Sequence, residues 1–207
     1  MKTELYIDTE TTGLDPAIHG LIQVAVIAMV DDKEVGRLNI KMNPNTYVDG
    51  VVLNEYALKV NNTTEEDLKT FQHQNDACLE FLLFLQKLPV ADELKWTPVG
   101  YNVGFDVGFI KAWFEENSLH YGHYFSYASI DVLSVVRYLK SLGVIRDIKN
   151  AKLTTLCDWA GIELDAHDAM RDIEATKDLL GFIAHVCVRK PEHIALKMAE
   201  VKMVRKS

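Results

Sequence analysis

From Leu21 to Val30 the chain is apolar at every position except Gln23. Ten residues are too few to cross a bilayer as a helix, and the run reads as a buried strand. Before it, Glu4 to Thr9 alternates into a short strand carrying Leu5 and Ile7. After it come the polar turn Asp31-Asp32-Lys33-Glu34 and a third strand, Val35 to Met42. Three strands with such tight connections make an antiparallel meander, and the rest of the chain must pack against it.

Beyond the meander, residues 43–62 read as a loop, with Pro44, Gly50 and several asparagines. Thr63 or Thr64 offers an N-cap for a short acidic helix, Glu65 to Lys69, with Asp67 or Glu66 placed for a capping box. Helical spacing of Leu79, Leu82, Leu83 and Leu85 or Gln86 predicts a helix over Ala77 to Leu88, stopped by Pro89. A strand over Thr97 to Tyr101 leads to a helix from Asp106 to Asn117, with Phe109, Ile110, Trp113 and Phe114 near one face. Tyr124 to Ile130 reads as a fifth strand. Helices follow over about Val132 to Ser141, Leu153 to Trp159 and Ala169 to Val188. A meander followed by strand–helix alternation predicts an α/β domain, a mixed five-stranded sheet with helices on both faces.

Size and composition suit one large domain, or one with a short appendage: the chain has 207 residues, about half of them apolar. The division expected is a domain over 1–188 and a basic, helical tail over 189–207. That tail holds six basic residues against Glu192 and Glu200, whereas the net charge of the whole is −8. Three widely spaced cysteines without a C-x-x-C pair argue against a disulfide framework or a zinc knuckle and for a reducing compartment. Acidic residues within the first ten positions argue against a secretory signal. A cytoplasmic protein with no membrane contact is the expectation.

The chemistry concentrates in three segments. The first is Tyr6-Ile7-Asp8-Thr9-Glu10-Thr11-Thr12-Gly13-Leu14, the second Tyr101-Asn102-Val103-Gly104-Phe105-Asp106, the third His167-Asp168-Ala169-Met170-Arg171-Asp172. Asp8 and Glu10, two apart on a strand, point to one face, where two carboxylates repel unless a cation lies between them. Gly13 permits a tight turn, and the amides and hydroxyls of Thr11 and Thr12 are suited to a sugar or phosphate. Asp106 stands just past the end of a strand, where α/β sheets place ligands, although alone it would read as a helix cap. Phe105 and Phe109 read first as core.

Together and in this order, the segments resemble the motifs of the DEDDh family of 3′→5′ exonucleases, the group to which bacterial proofreading exonucleases belong. The resemblance runs from about residue 4 to residue 187. It implies a ribonuclease H-like fold and a site in which Asp8, Glu10, Asp106 and Asp172 hold two Mg²⁺ or Mn²⁺ ions. It makes His167, at H-x-x-x-x-D spacing from Asp172, the general base, a task for which a near-neutral imidazole is suited. It places Thr11, Thr12, Gly13 and Leu14 around a terminal nucleotide, with Leu14 against a base. Asn102 supports the site, Phe105 accompanies it as a candidate substrate contact, and Tyr101 stands where relatives often carry histidine. Asn61, in the loop Val60-Asn61-Asn62-Thr63-Thr64, falls in a nucleotide-contacting loop whose relatives often carry histidine and glycine at the two asparagine positions.

The resemblance therefore implies a metal-dependent exonuclease releasing nucleoside 5′-monophosphates from the 3′ end of single-stranded or frayed DNA, with a polymerase or other replication or repair protein as a candidate partner. Trimming of RNA ends or short oligoribonucleotides is the runner-up, because RNA preference rests on how the 2′-hydroxyl is received. A non-catalytic polymerase-associated module is a third reading, which the presence of all five catalytic residues disfavours.

Overall fold

Leu21–Val30 is a strand from end to end (β2) and is buried over its first eight residues, because it lies inside the sheet with helices on both sides. Thr3–Thr11 (β1) pairs antiparallel with one edge of β2 and Lys33–Asn43 (β3) with the other, which completes the meander. The connection from β2 to β3 is tighter than the four polar residues suggest. Val30 pairs directly with Lys33, leaving a two-residue turn in which Asp31 and Asp32 take φ of 46° and 64°. Positive φ at both central positions matches the twist of the flanking strands, and aspartate tolerates it.

The computed structural model describes residues 1–46, 50–91, 94–146, 148–164 and 168–189. The sheet has six strands, in the order β4-β3-β2-β1-β5-β6, one more than expected. Thr97–Gly100 (β5) and Ile130–Asp131 (β6) extend it in parallel beside β1, and Gln72–His73 (β4) runs parallel to the end of β3. The predicted strand from Tyr124 to Ile130 is mostly something else: a turn of helix, Tyr121–Tyr124, and an isolated bridge from Phe125 to Trp96 before β6 begins. The Tyr121 ring stacks on Phe125 at 4.8 Å, so aromatic packing holds the chain where a longer ladder would have run.

Residues 43–62 are not wholly loop. They contain a 3₁₀ turn, Pro44–Thr46, and the helix Glu55–Val60 (α1), whose Asn54 cap accepts from the Tyr56 and Ala57 amides. Only Leu58 of α1 is buried, so no apolar periodicity announces it. Helix Glu65–Thr70 (α2) carries the expected capping box between Thr64 and Asp67.

Side-chain alternation divides the core in two. Leu5, Ile7, Val24, Val26, Ile40 and Met42 face helices Gln74–Lys87 (α3) and Gly104–Glu116 (α4). Tyr6, Ala25, Ile27 and Val99 face helices Val132–Ser141 (α6), Leu153–Ala160 (α7) and Ala169–Arg189 (α8), with Tyr121–Tyr124 counted as α5. The inward face of α3 differs from the leucine pattern: Ala77, Cys78, Phe81 and Leu85 are buried, while Leu79 and Leu83 remain 56% and 44% exposed. Edge contacts of Phe81 with Trp113 and Phe114, at 5.7 and 6.1 Å, set that rotation. Among the described residues no helix is long and apolar enough to cross a membrane. The basic tail lies outside the described residues except for Arg189, at which α8 ends.

Candidate active site

The first acidic segment ends the central strand. On β1, Leu5, Ile7 and Thr9 point to the α4 side, and Tyr6, Asp8 and Glu10 point to the α8 side. Neighbouring β1 in opposite directions are β2 and β5, so the chain's connections diverge here, and open α/β sheets place ligands at such a crevice. Close approach of β5 depends on Gly100: a Cβ there would stand 2.8 Å from the Ile7 carbonyl oxygen.

Asp172 arrives from the opposite layer, in the first turn of α8. The start of that helix is capped by Asp168, whose Oδ1 accepts from the amides of Met170 and Arg171 at 3.1 and 3.2 Å. The first turn of α8 brings Asp172 beside Asp8 and Glu10. One oxygen from each of these three carboxylates lies within 4.8 Å of the other two, a spacing that a hard divalent cation can bridge.

Asp106 approaches from the α4 side, at 3% exposure. Its Oδ1 accepts a 2.8 Å hydrogen bond from the Thr9 hydroxyl. Sequence reasoning passed over Thr9, although strand alternation points it away from Asp8 and Glu10 and toward the α4 layer.

Burial and mutual repulsion raise these carboxylates together. Burial, then the charges of Asp106, Asp172, Glu10 and Asp168, hold Asp8 well above the usual carboxylate range. Burial, with Asp172 and Asp106, pushes Glu10 up to about 7. Burial likewise raises Asp106 to about 7, against the pull of the Thr9 hydroxyl, which favours the ionised form. The donors are all carboxylate oxygens, closely set and half-buried.

Around this core the loop after β1 folds on itself. Thr11 and Thr12 are buried, and their hydroxyls donate to the Gly13 carbonyl at 2.6 Å and the Val52 carbonyl at 2.8 Å. The Thr12 amide also donates, to Gly20 at 2.9 Å. Both hydroxyls, expected to meet a sugar or phosphate, donate within the protein to carbonyls of this loop and of Val52. At Gly13 a Cβ would meet the His19 ring at 2.1 Å, so a larger residue there displaces that ring. Leu14 follows it, 83% exposed at the rim.

Asn61 donates from Nδ2 to the Thr11 carbonyl at 3.0 Å, which ties the end of α1 to the end of β1. Next to it, Asn62 has φ of 48°, a left-handed conformation that favours glycine and tolerates asparagine. Asn102, also left-handed at φ 65°, turns the chain from β5 into α4, its amide donating to Asp131 Oδ1 at 2.8 Å. Phe105 is half-buried and leans on Phe109 at 5.0 Å, as part of the core layer. Tyr101, half-buried, donates its hydroxyl to the Ala151 carbonyl at 2.5 Å. His167 lies outside the described residues.

The Exonuclease family model matches residues 5–180, and the chain belongs to that family. It is similar to the DNA polymerase III PolC-type of Lacticaseibacillus paracasei, with 31% identity over 176 residues, 84% of this chain and 11% of that protein. With Ribonuclease T of Shewanella oneidensis it shares 27% identity over 187 residues, 86% of this chain and 80% of that protein. Among solved structures it superposes on the zinc-bound complex of E. coli exonuclease I with single-stranded DNA at a TM-score of 0.76. That match has 23% identity and covers 95% of this chain and 42% of that one. The shared architecture is the ribonuclease H-like fold. The chain spans about a tenth of the PolC-type relative's length.

Proposed function

We propose that this member of the exonuclease family is a metal-dependent 3′→5′ exonuclease that removes nucleotides from single-stranded or frayed DNA. The convergence of Asp8, Glu10 and Asp172 with Asp106 alongside, at the crevice between β1 and β5, carries the proposal. Two divalent cations held by these carboxylates would neutralise charge on the attacked phosphate and on the departing oxygen.

The chain's own residues do the rest. Ionised Asp8, Glu10 and Asp172, all half-buried, present oxygens to the open crevice, and the Thr9 hydroxyl holds Asp106 oriented and favours its ionised form. Leu14, exposed in the loop that follows β1, offers an apolar surface to the terminal base. Asn61 ties the end of α1 to the end of β1, Asn102 turns the chain from β5 into α4, and Phe105 packs on Phe109. His167 is the general base, accepting a proton from water as the water oxygen attacks phosphorus. The P–O3′ bond breaks, the departing O3′ takes up a proton from solvent to give the shortened strand its 3′-hydroxyl, and the released nucleotide carries a 5′-phosphate.

DNA as substrate is supported by the complex of E. coli exonuclease I with single-stranded DNA and by the PolC-type polymerases among the relatives. The latter also favour a replication or repair protein as partner. An RNA substrate is favoured by one observation, the similarity to Ribonuclease T across most of both chains. Digestion of 3′-labelled and 5′-labelled single strands, DNA and RNA in parallel, with Mg²⁺, Mn²⁺ or EDTA, tests both readings beside Asp8→Ala. Metal-dependent stepwise shortening from the 3′ end, absent in Asp8→Ala, is expected, faster on DNA. Internal cuts, or no cleavage of either polymer, would overturn the assignment.

A further inference from the structure

The strand register places one cation in line with the acidic site. Glu10 pairs with Gln23 on β2, and Gln23 pairs with Lys41 on β3, so the three side chains form a cross-strand row on the α8 face of the sheet. Two strand spacings put the Lys41 backbone roughly 10 Å from that of Glu10. Between them Gln23 is 4% exposed and donates to Asn39 Oδ1 at 2.8 Å, which keeps the floor of the row polar and ordered.

Lys41 is exposed, and no ion pair fixes its ammonium among the described residues. Its Nζ rests 5.5 Å from the centroid of the Phe71 ring, just after α2. The α1–α2 connection in turn is tied to the end of β1 through Asn61 and Thr11. The Lys41 charge is felt at Glu10, where it opposes the upward push of Asp172, Asp106 and Asp168.

Resting on the exonuclease reading above, we propose that Lys41 is a positioning residue that receives a phosphate of the substrate strand other than the one attacked. A chain of net charge −8 repels a polyanion, and its carboxylate site repels it further until cations bind. A lysine two strands from Glu10 gives the incoming backbone an attractive contact at a set distance from the point of cleavage. Its ring contact with Phe71 leaves the ammonium free to exchange water for phosphate oxygens.

The test compares wild type, Lys41→Gln and Lys41→Arg for digestion of a single-stranded oligonucleotide and for its equilibrium binding across a salt series. If wild type digests, Lys41→Gln should raise KM and Kd several-fold and change kcat by less than about twofold. The dependence of log K on log salt should flatten by about 0.7, the loss of one phosphate contact on a single strand. Lys41→Arg should restore both. Digestion by wild type with an unchanged salt slope in Lys41→Gln would overturn the role of Lys41 and leave the exonuclease reading intact. A wild type that neither binds nor digests the strand would overturn both.

Discussion

The Thr9 hydroxyl donates to Asp106 Oδ1 at 2.8 Å, both side chains buried, and this bond joins the first acidic segment to the second on the α4 side of the sheet. Thr9→Val keeps the shape and removes the donor. A hydrogen bond to a charged group contributes about 1.5–3 kcal/mol, so chemical denaturation should show a loss of that order. Activity should fall, with the acidic limb of the pH–rate profile displaced upward, because Asp106 loses the contact that favours its ionised form. An unshifted limb would assign Thr9 to packing alone.

Metal-free protein should become less stable as pH rises. Folding raises Glu10 from 4.5 to about 7 and Asp106 from 3.8 to about 7. Between those limits the folded state binds more protons than the unfolded one, so the stabilising contribution is complete below about pH 4 and lost as pH passes 7. Thermal unfolding in EDTA should show Tm falling from pH 5 to pH 8, and Mg²⁺ or Mn²⁺ should reverse the fall. A Tm that is flat with pH in EDTA would contradict the crowding of these carboxylates.

Asp172→Asn leaves Asp8 and Glu10 with one fewer charged oxygen donor. Divalent-cation affinity by calorimetry should drop by at least about a hundredfold, more than is usual for groups behind the ligands. Tm in EDTA at pH 8 should rise, since one repelling charge is gone. A simultaneous loss of both affinity and stability would mean that Asp172 acts as a structural support.

Gly13→Ala drives a Cβ into the His19 ring, 2.1 Å away in the present geometry. Overpacking of this kind costs about 1–3 kcal/mol, and displacement of Leu14 should raise KM. His19→Ala in the same chain should recover most of the stability, because it removes the ring that the Cβ strikes. A double-mutant cycle with no coupling would contradict the contact.

Deletion after Val188 tests the basic tail proposed as an appendage to the exonuclease domain. Weaker oligonucleotide binding with a flatter salt dependence is expected if the tail contacts phosphates. Binding unchanged at every salt concentration would remove it from the interface.

The elements legible from sequence were those with strong local signals. Val132–Ser141 and Leu21–Val30 have the bounds that their patterns predict, and Thr64 with Asp67 forms the predicted capping box. Helix α1 was missed because it buries a single apolar residue, and the strand after Tyr124 was overextended because its aromatic residues pack instead of pairing. Of the leucines that mark α3, Leu85 is buried and Leu82 packs against the core, whereas Leu79 and Leu83 stay exposed and Phe81 takes the place in the aromatic cluster.

By itself the sequence determined which groups are available: two carboxylates held to one face by the two-residue period of a strand, an aspartate at a strand end, another at a helix start. Only the tertiary structure decided what each group meets. Side-chain direction within a strand follows from local backbone geometry, which the sequence encodes directly. Asp172 beside Glu10, Thr9 under Asp106 and Lys41 in line with Glu10 depend on how layers and strands are registered. That register includes bulges at Glu10/Thr11 and Ala28/Met29, where one extra residue shifts every later pairing. Such contacts arise from packing between distant segments, and no local pattern carries them.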